Sequence, residues 1–190
     1  MGVPLSCRGG SGGHLLGGPS KVLMVGPTKA GKTHLLYSWL LGQQAVVSTH
    51  PTLEFNVEKI ITRDGRIFLV WDISGCERFR PKRRHFLEGT QAIVFVIDSA
   101  KPLQLKLAKL DLWEILQENE LKLCPLLVIA NKQDSKESLP VENVSDEMGL
   151  SNIQDRMWSI IAISALETEG VDKALRELCR LLDEHRASMP

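Results

Sequence analysis

The segment Gly26-Pro27-Thr28-Lys29-Ala30-Gly31-Lys32-Thr33 constrains this chain more than any other stretch. It fits the spacing G-x-x-x-x-G-K-[ST]. An apolar run, 22–25, precedes it, and residues 33–41 follow with Leu35, Leu36, Trp39 and Leu40 on one helical face. That order predicts a buried strand, a tight loop and a helix whose N-terminus points back at the loop. Such a loop wraps phosphate. Gly26 and Gly31 let the backbone close in, and the amides of Thr28, Lys29, Ala30 and Gly31 converge on oxygens; Pro27 contributes shape but no N–H. The helix dipole adds positive potential at the same place. Lys32 can reach the β- and γ-phosphates, and the Thr33 hydroxyl can ligate Mg²⁺, which takes few protein oxygens when phosphate supplies others.

The rest of the pattern supplies a sheet. Runs 55–62 and 67–72 flank Arg63-Asp64-Gly65-Arg66, a hairpin signal. Runs 92–98 and 125–130 are apolar without alternation, as in parallel strands covered on both faces. Residues 102–119 carry Leu105, Leu112, Ile115 and Leu116 at helical spacing; a final apolar run, 158–163, precedes a helix near 171–185. Strands alternating with helices predict an α/β doubly wound fold, with ligands at the carboxyl ends of the strands.

Composition narrows the class. Hydrophobic residues are 43% and charged residues 24%, ordinary for a globular chain, and Lys+Arg equals Asp+Glu at 23 each. A nucleic-acid partner calls for a basic excess that is missing here, so none is expected. Cys7, Cys76, Cys124 and Cys179 form no C-x-x-C pair, which speaks against zinc or redox chemistry and suits a reducing, cytoplasmic setting. No run reaches the roughly 18 apolar residues of a membrane span. Residues 1–19 are so rich in glycine that a flexible arm is expected, followed by one domain over 20–187.

Two further segments decide between nucleotides. Asn131-Lys132-Gln133-Asp134 ends the 125–130 strand and resembles the N-K-x-D guanine motif of GTPases. The Asp134 carboxylate can accept from guanine N1–H and the 2-amino group, a donor pair that adenine lacks. Asn131 supports the loop, and the Lys132 stem covers the ring. Ser164-Ala165-Leu166 is similar to the loop whose Ala amide meets guanine O6. Asp72, in Trp71-Asp72-Ile73-Ser74-Gly75, suits a Mg²⁺-water carboxylate, and Gly75 can offer its N–H to the γ-phosphate. Thr52 resembles the switch threonine that joins Mg²⁺ only with a triphosphate.

The strings P-T-x-x-F-N-V-E (51–58), W-D-x-x-G (71–75), R-P-x-x-R-H-F (80–86), V-I-D-S (96–99) and A-N-K-Q-D (130–134) resemble the Arf-like branch of small GTPases, from about residue 20 to 185. The resemblance implies a P-loop NTPase of the small G-protein fold: a mostly parallel six-stranded sheet with helices on both faces. It also implies GTP/GDP and Mg²⁺ as ligands, protein effectors and exchange factors acting through the switch regions, and an aromatic effector triad at Phe55, Trp71 and Phe86. A monomer is expected.

Departures from the family pattern carry their own expectations. The family usually reads W-D-x-G-G-Q. Here Ser74 replaces a glycine, and Cys76 stands where a glutamine would orient the attacking water, so catalysis at Gly75–Cys76 is expected to be weak. Arg78, Arg80, Lys82, Arg83, Arg84 and His85 predict a solvated basic helix face, with an acidic partner or lipid headgroup as the sharper reading. Met1-Gly2-Val3-Pro4-Leu5-Ser6 fits the N-myristoylation pattern at Gly2, and Cys7 is a candidate for palmitoylation. One acyl chain binds membranes only marginally, so peripheral association with intracellular membranes needs a second signal. Three functions compete. They are a regulatory GTP/GDP switch in membrane traffic or related signalling, a mainly GTP-bound docking module that hardly hydrolyses, and an unrelated P-loop kinase or ATPase, against which the 131–134 and 164–166 segments speak.

Overall fold

In the computed structural model, which describes residues 18–42 and 49–189, six strands form one sheet. They are β1 (Ser20–Val25), β2 (Phe55–Ile61), β3 (Ile67–Ile73), β4 (Ala92–Asp98), β5 (Leu126–Asn131) and β6 (Trp158–Ala162). The spatial order is β2-β3-β1-β4-β5-β6, and every neighbouring pair is parallel except β2 with β3. Every residue of β4 and β5 is buried. Strands with no exposed face need cover on both sides, and four helices supply it: α1 (Lys32–Leu41), α2 (Pro102–Leu116), α3 (Val141–Met148) and α4 (Thr168–Ser188). On one face Leu23, Phe95, Ile97 and Val128 pack against Leu105 and Leu112 of α2 and Met148 of α3. On the other, Val22, Met24, Val94 and Ile129 pack against Leu35 and Leu36 of α1 and Leu178 and Leu182 of α4. The expected α/β sandwich with helices on both faces is what the chain forms.

Several local expectations needed correction. The hairpin pairs as far as Ile61 with Ile67 and closes through five residues, with Thr62 N–H donating to Arg66 O at 3.0 Å and Gly65 at φ 85°. The turn is also tied to α4: Arg66 grips Asp183 through two bonds of 2.8 and 2.7 Å. Helix α3 has no counterpart in the sequence reading. It buries only Val144 and Met148, too few apolar positions to mark a helix, and Trp113 of α2 holds its end by donating to Met148 O at 3.0 Å. Gly2 and Cys7 lie outside the described residues, as does nearly all of the expected arm.

The sheet register assembles the ligand rim. Asp72 at the end of β3 pairs with Met24, and Asp98 at the end of β4 pairs with Asn131 at the end of β5. The phosphate loop leaves β1 between them.

Candidate functional site

The phosphate loop is held by contacts that admit no side chain. A Cβ on Gly26, at φ 133°, would lie 2.1 Å from the Val96 carbonyl oxygen. Gly31, at φ 98°, backs onto the Asn131 amide in the same way. Lys29 also takes a left-handed conformation, at φ 67°. The Lys32 ammonium is buried and donates to Gly26 O and Pro27 O, both at 2.9 Å. Burial pulls its pKa down to about 8, with the Asp72 carboxylate pulling the other way. Two carbonyl dipoles are poor compensation for a buried cation, which suits this position to an anionic group such as phosphate.

Beside it, Thr33, Thr52 and Asp72 converge. Thr33 Oγ1 donates to Asp72 Oδ2 at 2.5 Å and lies 2.8 Å from Thr52 Oγ1. Thr52 Oγ1 and Asn56 Nδ2 approach the same carboxylate oxygen at 3.3 and 3.4 Å. The other oxygen, Asp72 Oδ1, is fully buried with no hydrogen-bond partner, and desolvation pushes the carboxyl pKa up. A buried carboxylate with an orphaned oxygen beside two hydroxyls fits a hard divalent cation. Among the described residues no three His, Cys, Asp or Glu side chains cluster to hold a metal unaided. A cation here would take the rest of its shell from phosphate and water.

At the other end, Asn131 is a brace. Its Nδ2 donates to Ala30 O at 2.8 Å, and its Oδ1 accepts from Ala165 N–H at 2.9 Å. One side chain therefore joins the phosphate loop to the 164–166 loop. The Ala165 amide, which the resemblance assigns to guanine O6, donates here to Asn131, so a base at that position would share it. Ser164 Oγ donates to Asp134 Oδ1 at 2.6 Å and fixes that carboxylate at the cleft. Lys132, at φ 69°, directs its ammonium to Asp98 Oδ2 at 2.7 Å, which anchors the alkyl stem along the wall. The cleft is about 510 Å³, and Thr28, Lys29, Gly31, Lys32, Thr33, Thr52, Gly75, Asn131, Lys132, Asp134 and Ala165 all line it. His34, Thr49 and His50 line it too and were missed by the sequence reading, because no spacing rule distinguishes them; Leu166, the last residue of the 164–166 string, lines it as well. Asp98 was noted only within a family string; its pairing with Lys132 depends on β4 lying beside β5.

At the β2 edge of the sheet the rings of Phe55 on β2, Trp71 on β3 and Phe86 meet, with centroids 4.7 to 5.8 Å apart. Phe55 is 39% exposed, so the cluster opens to the surface there, while Trp71 and Phe86 are half-buried and pack against the core that faces α2. Lys21 Nζ sits 4.7 Å over the Trp71 ring.

The basic stretch differs from the expected solvated helix face. Residues Glu77–Phe86 form a 3₁₀ segment with Pro81 inside it, and Arg83 is buried. Arg83 Nη2 donates to Asp111 Oδ1 of α2 at 2.6 Å, Arg80 approaches the same oxygen at 3.3 Å, and Arg84 pairs with Glu118 at 2.7 Å. Only Arg78, Lys82, Arg84 and His85 of the run are exposed. Removing one partner of a buried pair strands the other charge. Asp111→Ala is therefore expected to lower stability by about 3 kcal/mol and the melting temperature by roughly 10 °C. The double variant Arg83→Leu/Asp111→Leu should recover most of that loss in a thermal melt. Cys76, just before this segment, is exposed, while Gly75 presses against the phosphate loop: a Cβ there would be 2.4 Å from Thr28 N.

The geometry agrees with comparison to known proteins. The model of the ADP-ribosylation factor family matches residues 15–182. ADP-ribosylation factor-like protein 1 of Saccharomyces cerevisiae is 39% identical over 166 residues, covering 87% of this chain and 89% of that protein. Among solved structures, the Arl6 BBS3 small GTPase from Trypanosoma brucei with bound nucleotide analogue GppNp matches with a TM-score of 0.79 at 23% identity. That match covers 88% of this chain and 99% of the other, and it establishes the fold. The chain belongs to the ADP-ribosylation factor family, as an Arf-like small GTPase and a guanine-nucleotide-binding switch.

Proposed function

We propose that residues 20–187 bind GTP and GDP with Mg²⁺ in this cleft and recruit protein effectors in the GTP state through Phe55, Trp71 and Phe86. The observation that carries the reading is the convergence of Thr33, Thr52 and Asp72, with Asp72 Oδ1 left unpartnered. Thr33 and Thr52 would ligate the ion directly and Asp72 through water. A divalent cation held by these residues would supply charge neutralisation for bound phosphate. Lys32 and the amides of residues 28–31 hold the phosphates, Gly75 meets the γ-phosphate, and Asn131, Lys132, Asp134, Ser164 and Ala165 hold the base. Exchange factors act on the same switch segments. Myristoylation of Gly2 together with a second signal, for which Cys7 is the candidate, would give peripheral attachment to intracellular membranes, in keeping with a role in membrane traffic or related signalling.

A second reading, a hydrolysis-deficient and mainly GTP-bound docking module, is favoured by Cys76. A thiol is short and a weak donor, so it holds an attacking water poorly. Charge stabilisation by Lys32 is retained, and water orientation is what suffers. Intrinsic turnover in this class is on the order of 10⁻⁴ to 10⁻² per second even with the glutamine. The expected result is hydrolysis at or below the bottom of that range, with Cys76→Gln raising it about tenfold or more. Nucleotide analysis of the purified protein followed by single-turnover hydrolysis tests both readings. Brisk turnover by the wild type, or slowing by Cys76→Gln, would remove the docking-module reading.

A further inference from the structure

We propose that Ser74 is a positioning residue that ties the two γ-phosphate-sensing loops to each other and biases the protein toward the triphosphate. The inference rests on the roles proposed above for Thr52 and Gly75. Ser74 is 2% exposed and sits between those loops. Its hydroxyl donates to Thr52 O at 2.7 Å and accepts from Cys76 N–H at 3.3 Å. Its own N–H donates to Glu54 O at 2.8 Å. Thr52, so held, keeps its side chain 2.8 Å from Thr33. Gly75, one residue on, is packed against the amide of Thr28. A single hydroxyl therefore links the threonine at one side of the phosphate to the backbone that follows the glycine at the other.

The glycine usual at this position has no hydroxyl, so it leaves the Thr52 carbonyl and the Cys76 amide to find other partners. Ordering a loop costs conformational entropy for each residue fixed. Where a ligand needs two loops in place, a bond that joins them in advance raises the fraction of molecules competent to bind it. GDP has no γ-phosphate for Thr52 or Gly75 to meet, so its binding gains little from the link. A serine that merely satisfied two local backbone groups would behave differently: its loss would lower stability without changing the preference between nucleotides.

The test compares wild type, Ser74→Ala, Ser74→Gly and Ser74→Thr as full-length protein, with dissociation constants for GppNp and GDP measured at fixed Mg²⁺. Loss of two neutral hydrogen bonds predicts that Ala and Gly weaken GppNp by roughly five- to thirtyfold, and GDP by less than about twofold. Ser74→Thr keeps the hydroxyl and should keep the wild-type ratio. An unchanged ratio in Ser74→Ala, or equal losses for both nucleotides, overturns the proposal. Amide exchange of the GppNp complex gives an independent readout: faster exchange at Leu53 and Cys76 in Ser74→Ala is expected, and unchanged protection is contrary. Failure of the wild type to bind either nucleotide would instead overturn the proposed function, which is a distinguishable result.

Discussion

Asp134→Asn is expected to weaken GDP and GTP by on the order of 10³-fold or more and to admit xanthine nucleotides. Ser164 Oγ already donates to Asp134 Oδ1 at 2.6 Å, so the carboxylate's position is set before any base arrives. In the asparagine variant the amide oxygen can keep that bond, with Ser164 Oγ still accepting from Leu166 N–H as it does in the wild type. The NH₂ then faces the base. Guanine presents N1–H and 2-amino donors there, and a donor facing a donor in a desolvated site leaves both unpaired. Xanthine carries a carbonyl at position 2 and can accept from the new amide. Competition of GDP and XDP against a fluorescent guanine nucleotide measures the exchange of preference. Undiminished GDP affinity in the variant would take Asp134 out of base recognition.

The second large effect concerns Lys32. Lys32→Ala should weaken GTP by about 10²-fold or more, since charge-assisted hydrogen bonds to phosphate are lost from a buried site. The fold is not expected to suffer. Burial depresses the pKa of this ammonium to about 8, so the nucleotide-free protein holds it at a cost, and its removal relieves that cost. The melting temperature of the nucleotide-free variant should therefore stay near that of the wild type while calorimetric binding collapses. Thr33→Asn is a companion case. It removes both the hydroxyl assigned to Mg²⁺ and its bond to Asp72 Oδ2, and it should leave a nucleotide-free or GDP-bound form. Wild-type GTP affinity in either variant contradicts the phosphate-loop assignment.

Some of this molecule is written in local spacing. The loop 26–33 can be read because phosphate binding demands glycines and a lysine at set intervals between a strand and a helix, and all of those residues are neighbours in the chain. Strands β4 and β5 are legible because burial on both faces leaves no polar alternation. The Asn131–Asp134 motif is legible for the same reason as the phosphate loop: the residues proposed to recognise the base fall within four consecutive positions. Helix α3 escaped because two apolar residues do the packing of its eight.

Tertiary structure alone decided the pairings between distant residues. Arg83 reads as one cation in a charge run, yet it is buried because Asp111, 28 residues away, waits on α2. Ser74 reads as a departure from a glycine pattern, and its meaning comes from Thr52, 22 residues back, whose carbonyl the β2–β3 hairpin brings within reach. Lys132 meets Asp98 because β5 lies beside β4. In each case the side chain's chemistry is set by the sequence, but the partner is set by strand order and register. Those depend on how the whole apolar core closes, and no short window of sequence contains that information.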